Sequence, residues 1–183
     1  MIRHTMNIVK EMFEDQVIVG AEVGVSSGHN AQNILQVMSN VKMLYLIDPY
    51  FGGMVWENYD QTYVDKERKE GAKTRLKPYE ERIRWIYKEF DKCTIKDFEP
   101  LDFIYIDGDH GYEIVKKDLV LASTLVKKGG VIGGHDAGCL SIERAVNEFC
   151  ELKKLKRQTG NNGFHMIDGN RKAQGWDWWF ING

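Results

Sequence analysis

Residues 17–28 read Val-Ile-Val-Gly-Ala-Glu22-Val-Gly24-Val-Ser26-Ser27-Gly28, a β-branched apolar run that ends in glycine and serine. Immediately after it, Ala31, Ile34, Leu35 and Met38 recur at spacings of three and four and so share one helical face. The stretch predicts a strand, a tight turn and a helix. Downstream the same order repeats. Met43–Ile47, Ile83–Tyr87 and Leu101–Ile106 are short apolar runs closed by a charged or turn residue, the pattern of strands buried on both faces. Val115, Leu119, Ala122 and Val126 predict another helix, which Lys127-Lys128-Gly129-Gly130 would stop before a strand at Val131-Ile132. Ser141 opens a helix carrying Ile142, Ala145, Val146 and Phe149. At the tail, Phe164–Ile167 and Trp176–Ile181 flank Asp168-Gly-Asn-Arg and predict an antiparallel hairpin.

Strands alternating with helices imply an α/β fold, a Rossmann-like doubly wound sheet that is mostly parallel with a C-terminal antiparallel hairpin and helices on both faces. The 183 residues fit one domain, 1–183, of a size that buries roughly 70% of its unfolded surface without metal or disulfide. Residues 50–82, rich in Tyr, Lys and Glu, exceed what a plain crossover needs and are expected to form a lid or substrate-recognition insertion. Within it, Trp56, Tyr59 and Tyr63 are the aromatic candidates for contact with a substrate. A net charge of −2 argues against a large basic face for nucleic acid. No apolar run is long enough for a membrane span, and the start, Met1-Ile-Arg-His-Thr, has no secretory pattern, so a cytoplasmic location is expected. Cys93, Cys139 and Cys150 lack metal or disulfide spacing and read as thiols.

In such a sheet, ligands sit at the carboxyl ends of the strands. Four polar clusters fall there: residues 22–28, Asp48 to Tyr50, Asp107 to His110, and His135-Asp136. Gly24 and Gly28, with Ser26 and Ser27 between them, form a turn that lets a ligand approach backbone N–H groups, although a bare tight turn would use the same residues. Asp48, 24 positions after Gly24, stands near the offset at which a carboxylate accepts both hydroxyls of a nucleoside ribose; otherwise Asp48-Pro49 merely ends a strand. Glu22 beside the turn favours a ligand bearing a cation and disfavours a pyrophosphate.

The pattern E-x-G-x-S-x-G at Glu22–Gly28 resembles the first motif of the class I S-adenosylmethionine-dependent methyltransferases, with Ser26 where a second glycine is usual. The series Ile106-Asp107-Gly-Asp109-His110, Asp118 late in a helix, Lys128-Gly-Gly-Val-Ile and His135-Asp136 is similar to small-molecule and sugar O-methyltransferases of the macrocin type, and more distantly to the catechol and caffeoyl-coenzyme A enzymes. This resemblance spans roughly residues 17–136 and implies methyl transfer from S-adenosylmethionine to a hydroxyl of a small, polyhydroxylated acceptor. It implies that Glu22, Gly24, Ser26, Ser27, Gly28, Asp48, Phe90 and Asp107 bind the cofactor, with Phe90 stacking on adenine or else packing in the core. It further implies His110 as the base, with Asp107 and Asp109 beside it, where the relatives carry a lysine. Asp107, His135 and Asp136 take the places of ligands to Mg²⁺ or another divalent cation, with His and Asp standing where the relatives have a carboxylate and an amide.

For other residues a plain role competes. Asp109 could cap the next helix, Asp118 reads as structural, His29 as a solvated helix start, and the tail tryptophans as packing with one lining the acceptor pocket. A small-molecule acceptor and a homodimer are the expected partners, with neither nucleic acid nor membrane. Two other activities fit parts of the pattern: a nicotinamide-dependent oxidoreductase, which lacks its third glycine here, and a metal hydrolase built on Asp107, Asp109, His110, His135 and Asp136. A binding module without catalysis is the third alternative.

Overall fold

The computed structural model describes residues 2–51, 61–162, 164–167, 170–173 and 175–183, of which 61–64, 164–167 and 170–173 by their backbone alone. In chain order the elements are α1 His4–Phe13, β1 Ile18–Val23, α2 His29–Val37, β2 Val41–Ile47, α3 Gln61–Leu76, β3 Ile83–Ile86, β4 Leu101–Ile106, α4 Tyr112–Leu125, β5 Val126–Gly134, α5 Leu140–Lys153, β6 Gln158–Asn161, β7 Phe164–Ile167, β8 Asn170–Ala173 and β9 Trp176–Ile181. Seven strands form one sheet in the order β3-β2-β1-β4-β5-β9-β6. The first five run parallel, and β9 joins β5 and β6 antiparallel.

Alternation along the strands explains how both faces are covered. On β4, Phe103 and Tyr105 join Met6, Ile34, Leu35 and Leu76 on one side, while Ile104 and Ile106 join Val115, Leu119, Ile142 and Val146 on the other. Helices α1, α2 and α3 therefore cover one face, and α4 and α5 the other. Phe103 fits because Gly20 lies opposite; a Cβ there would come within 2.1 Å of the ring. Asp102 fixes the register at the strand starts, accepting from Val19 N at 2.8 Å and from Lys127 Nζ at 2.7 Å.

Three details differ from the sequence reading. Val126 and the Lys-Lys-Gly-Gly run belong to β5 and do not end a helix: Lys127 reaches Asp102, and Gly129 and Gly130 bond Asn182. The tail hairpin pairs otherwise than expected. Phe164–Ile167 pairs with Asn170–Ala173 in a separate ribbon, while Trp176–Ile181 enters the main sheet against β5 and β6. Alternation reports that a strand exists but not its partner. An N-terminal helix, α1, is also present, held by a buried hub at Asp177, whose carboxylate accepts from Thr5 N, Tyr105 Oη and Asn162 Nδ2 at 2.7–2.9 Å.

Candidate active site

The strand order turns outward on either side of β1 and β4, so the ends of these two strands flank the crevice where ligands bind in open α/β sheets. Gly24 ends β1 with φ +84°, and a Cβ on it would lie 2.0 Å from the Asp107 carbonyl. Only glycine lets the two strand ends meet this closely. Gly28, φ +77°, caps α2, which starts the helix directly after the turn.

Glu22 is 2% exposed, and its Oε1 accepts from Asn30 Nδ2 at 3.2 Å. Two buried acceptors in this pair, Glu22 Oε2 and Asn30 Oδ1, have no donor. Burial, reinforced by Asp107, pushes the Glu22 carboxyl up to about 8 against the bond from Asn30. A ligand with several N–H donors would satisfy both atoms. Asp48 ends β2, its Oδ2 accepting from Ser26 N and its Oδ1 from Tyr50 N, both at 2.8 Å. Burial raises its pKa, against the backbone N–H groups that hold it down. Tyr50 sits at φ +52° and donates its hydroxyl to Ser26 O at 2.8 Å, closing the turn from above.

Helix α3 extends this cover. Gly28 faces Ala72 and Leu76, and Arg75 donates to Ser27 O at 2.7 Å. Lys69 lies 4.0 Å above the Tyr87 ring, which stacks on Trp85. So the later part of residues 50–82 lies over the glycine turn. Trp56 and Tyr59 lie outside the described residues, as does the Tyr63 side chain.

Beyond β4 and β5, Asp136 is the centre. Its Oδ2 lies 3.2 Å from His110 Nε2, and its Oδ1 lies 3.1 Å from His135 Nδ1, which is also 3.7 Å from Asp107 Oδ1. The His135 bond holds the Asp136 carboxyl below its ordinary value, whereas burial raises that of Asp107. The Trp178 indole donates to the His135 carbonyl at 2.9 Å and lines, with Ile106, Val115, Ile142 and both histidines, a pocket at the strand ends. Arg3, from the start of α1, reaches Asp107 Oδ2 at 3.7 Å. Ligand atoms of Asp107, His110 and Asp136 all lie within 4.8 Å of one another.

The structure thus brings Asp107, His110, His135 and Asp136 together. It separates others. Asp109 does not hold His110; its Oδ1 accepts from Gly111 N at 2.6 Å and shapes the turn into α4. Phe90 is buried edge-on against Phe98, so its ring belongs to the core and is not offered to an adenine. Asp118 is buried on the inner side of α4, its carboxyl raised to about 7 by burial and by Asp91. His29 is exposed and bonds Ser27 Oγ at 2.9 Å. The sequence reading missed Asn30 and Arg3, and gave Tyr50 only as the end of the Asp48 cluster with no role of its own. Asn30 was traceable as a polar residue in the first turn after Gly28, whereas Arg3 carries no local signal.

A family model described as a methyltransferase domain matches residues 21–137, more than half of the chain and the whole span from Glu22 to Asp136. The chain belongs to this methyltransferase family. No curated protein matches the methyltransferase. Solved structures do. A precorrin 8w decarboxylase from Methanobacterium thermoautotrophicum superposes with a TM-score of 0.66 at 12% identity, covering 97% of this chain and 88% of that one. The N-methyltransferase NodS from Bradyrhizobium japonicum, in complex with S-adenosyl-L-homocysteine, gives 0.61 at 15%, covering 97% and 85%. A SAM-dependent O-methyltransferase from Thermotoga maritima gives 0.63 at 10%, covering 97% and 64%. At these identities the likeness is one of fold. The comparisons lend nothing to an oxidoreductase or a hydrolase.

Proposed function

We propose that this methyltransferase takes the methyl group of S-adenosylmethionine and transfers it to a hydroxyl oxygen of a small, polyhydroxylated acceptor. The observation that carries this reading is the juxtaposition, at neighbouring strand ends, of two unsatisfied buried acceptors on Glu22 and Asn30 and an imidazole bonded to Asp136. Glu22 faces the methionine end of the cofactor, the backbone of the Gly24–Gly28 turn lies along it, and Asp48 takes the ribose hydroxyls with the lone pairs left on its two oxygens.

Methyl transfer is an in-line displacement: the acceptor oxygen forms a bond to the methyl carbon as the carbon–sulfur bond breaks and its electron pair returns to sulfur. The hydroxyl proton has to leave. With His110 Nε2–H donated to Asp136, Nδ1 carries the free lone pair and receives that proton. Asp136 fixes the ring, and Trp178 with Ile142 excludes water from one wall.

With His110 in the place expected of His135, the donor set of Asp107, His110 and Asp136 also fits a divalent cation, two hard carboxylate oxygens with an imidazole suiting Mn²⁺, Fe²⁺ or Zn²⁺ as well as Mg²⁺. A bound ion would lower the pKa of a coordinated hydroxyl. In that arrangement His110 would be a ligand, with His135 orienting Asp136.

Calorimetric titration with S-adenosylmethionine, S-adenosylhomocysteine and NAD tests the reading. Binding of the sulfur compounds with no heat from NAD supports it, and NAD binding with no response to the sulfur compounds overturns it. Once an acceptor is found, turnover after exhaustive chelation separates the two roles of His110: full activity assigns it as base, and loss restored by metal assigns it as ligand.

A further inference from the structure

The N-terminal helix lies outside the part of the chain that the family model matches, yet it delivers a charge to the strand ends. Arg3 is the N-cap of α1, its side chain is 25% exposed, and its guanidinium reaches Asp107. Its position is built, not incidental. Next in the chain, His4 N donates to Asn162 Oδ1 at 2.7 Å and Thr5 N to Asp177 Oδ2 at 2.9 Å. Asn162 and Tyr105 in turn donate to Asp177 Oδ1 at 2.7 and 2.9 Å. This buried network locks the first turn of α1 to β4, β6 and β9. Arg3 also lies close enough for its charge to stabilise the ionised forms of both Glu22 and Asp107.

The site therefore presents two complementary features at the neighbouring ends of β1 and β4. Glu22 and Asn30 offer buried oxygens that lack donors, and Arg3, which is paired with Asp107, carries a planar fork of N–H donors that can engage a second carboxylate. A group that matches both carries an ammonium and a carboxylate on one carbon. We propose that Arg3 binds the carboxylate of the cofactor's amino-acid end while Glu22 and Asn30 bind its ammonium, so that α1, held by the Asp177 network, is part of the cofactor site. This rests on the cofactor reading above and adds to it the residue that recognises the carboxylate. An Arg–carboxylate contact suits the role better than a lysine would, because the fork matches two oxygens at once.

The test compares two ligands on the full chain: S-adenosylhomocysteine, which has the amino-acid end, and 5′-methylthioadenosine, which lacks it. In Arg3→Gln, affinity for S-adenosylhomocysteine should fall about ten- to a hundredfold, as expected for a lost charge-assisted contact, while affinity for methylthioadenosine stays within about twofold. Arg3→Lys should recover part of the loss. Thermal melting of both variants checks that the fold is kept, and Asp177→Asn, which loosens the anchor without touching the guanidinium, should show the same ligand-selective loss in weaker form. Unchanged S-adenosylhomocysteine affinity in Arg3→Gln overturns the proposal, as does an equal loss for both ligands. Failure of the cofactor reading itself looks different: the unaltered protein would then bind neither compound.

Discussion

Glu22 shows how a single carboxyl can oppose the fold and serve a ligand. A buried group whose pKa stands at about 8 holds a proton that the unfolded chain would release near its ordinary value. Below the unfolded value both states are protonated and nothing is lost. As pH rises from there through about 8, the native state must either keep the proton or bear an unsolvated charge, so stability declines across that window. Glu22→Gln removes this dependence, and its melting temperature should exceed that of the natural chain by a margin that is small at pH 5 and largest above pH 8, as followed by thermal denaturation across pH. The same variant should bind S-adenosylhomocysteine more weakly, since a neutral amide attracts an ammonium less than a carboxylate does. At His110 the expectation is reversed: His110→Ala should leave cofactor affinity unchanged and lower turnover about a hundredfold or more, measured as S-adenosylhomocysteine release with a competent acceptor. Turnover equal to that of the natural chain would remove His110 from the chemistry. These residues were visible in the sequence because chemistry at a strand end leaves acidic and imidazole groups where strand runs stop. For Phe90 the sequence left two roles open, because an aromatic after a strand reads the same whether it faces a ligand or Phe98.

Elements were legible where one face of periodicity decided them, and obscure where a long-range contact did. The strands β1, β2, β3 and β4 and the helices α2, α4 and α5 announce themselves through apolar spacing. By contrast, α1 is held by polar contacts to residues more than 150 positions away, which no local pattern encodes. β9 is the instructive case. Its apolar run identified a strand, but the neighbouring run at β7 found its partner in β8, and β9 crossed to β5, where Gly133 and Gly134 leave room beside Trp178 and Trp179. Asp177 joins these pieces, so Asp177→Ala should cost about 3–5 kcal/mol, the range for stranding several buried donors of a charged acceptor. Hydrogen exchange should then show α1 losing protection while α4 and α5 keep theirs. Equal loss in all three helices would mean that Asp177 supports the whole core and not the N-terminal helix in particular.

At the scale of the whole molecule, charge and topology restrict the acceptor. The full chain carries a net charge of −2, and its densest basic run, Lys153-Lys154-Leu-Lys156-Arg157, follows the end of α5. Because α5 begins just past the carboxyl end of β5 and runs back along the sheet, Lys153 at its end lies away from the candidate site, and Arg157, where the chain returns toward that end, is already paired with Glu143, Asn147 and the Ala137 carbonyl. A polyanion drawn to Lys153 and Lys154, at the end of α5, would be held away from His110. Among the described residues, the groups around the pocket are chiefly acidic or imidazole, with Arg3 beside Asp107. Nucleic acid should therefore bind weakly if at all, with affinity lost between 50 and 200 mM salt and with no protection of the site residues, whereas a small neutral polyol acceptor would meet no such barrier. The cofactor should act on the whole fold. At a hundred times its dissociation constant, a ligand binding only the native state adds about 2.7 kcal/mol, which for a chain of this size raises the melting temperature by roughly 5–10 °C. S-adenosylhomocysteine should produce most of that shift at low and high salt alike, because the Glu22 and Asn30 oxygens argued to hold it are buried, and a shift that vanished at high salt would mean that the ligand sits on the surface and not between β1 and β4.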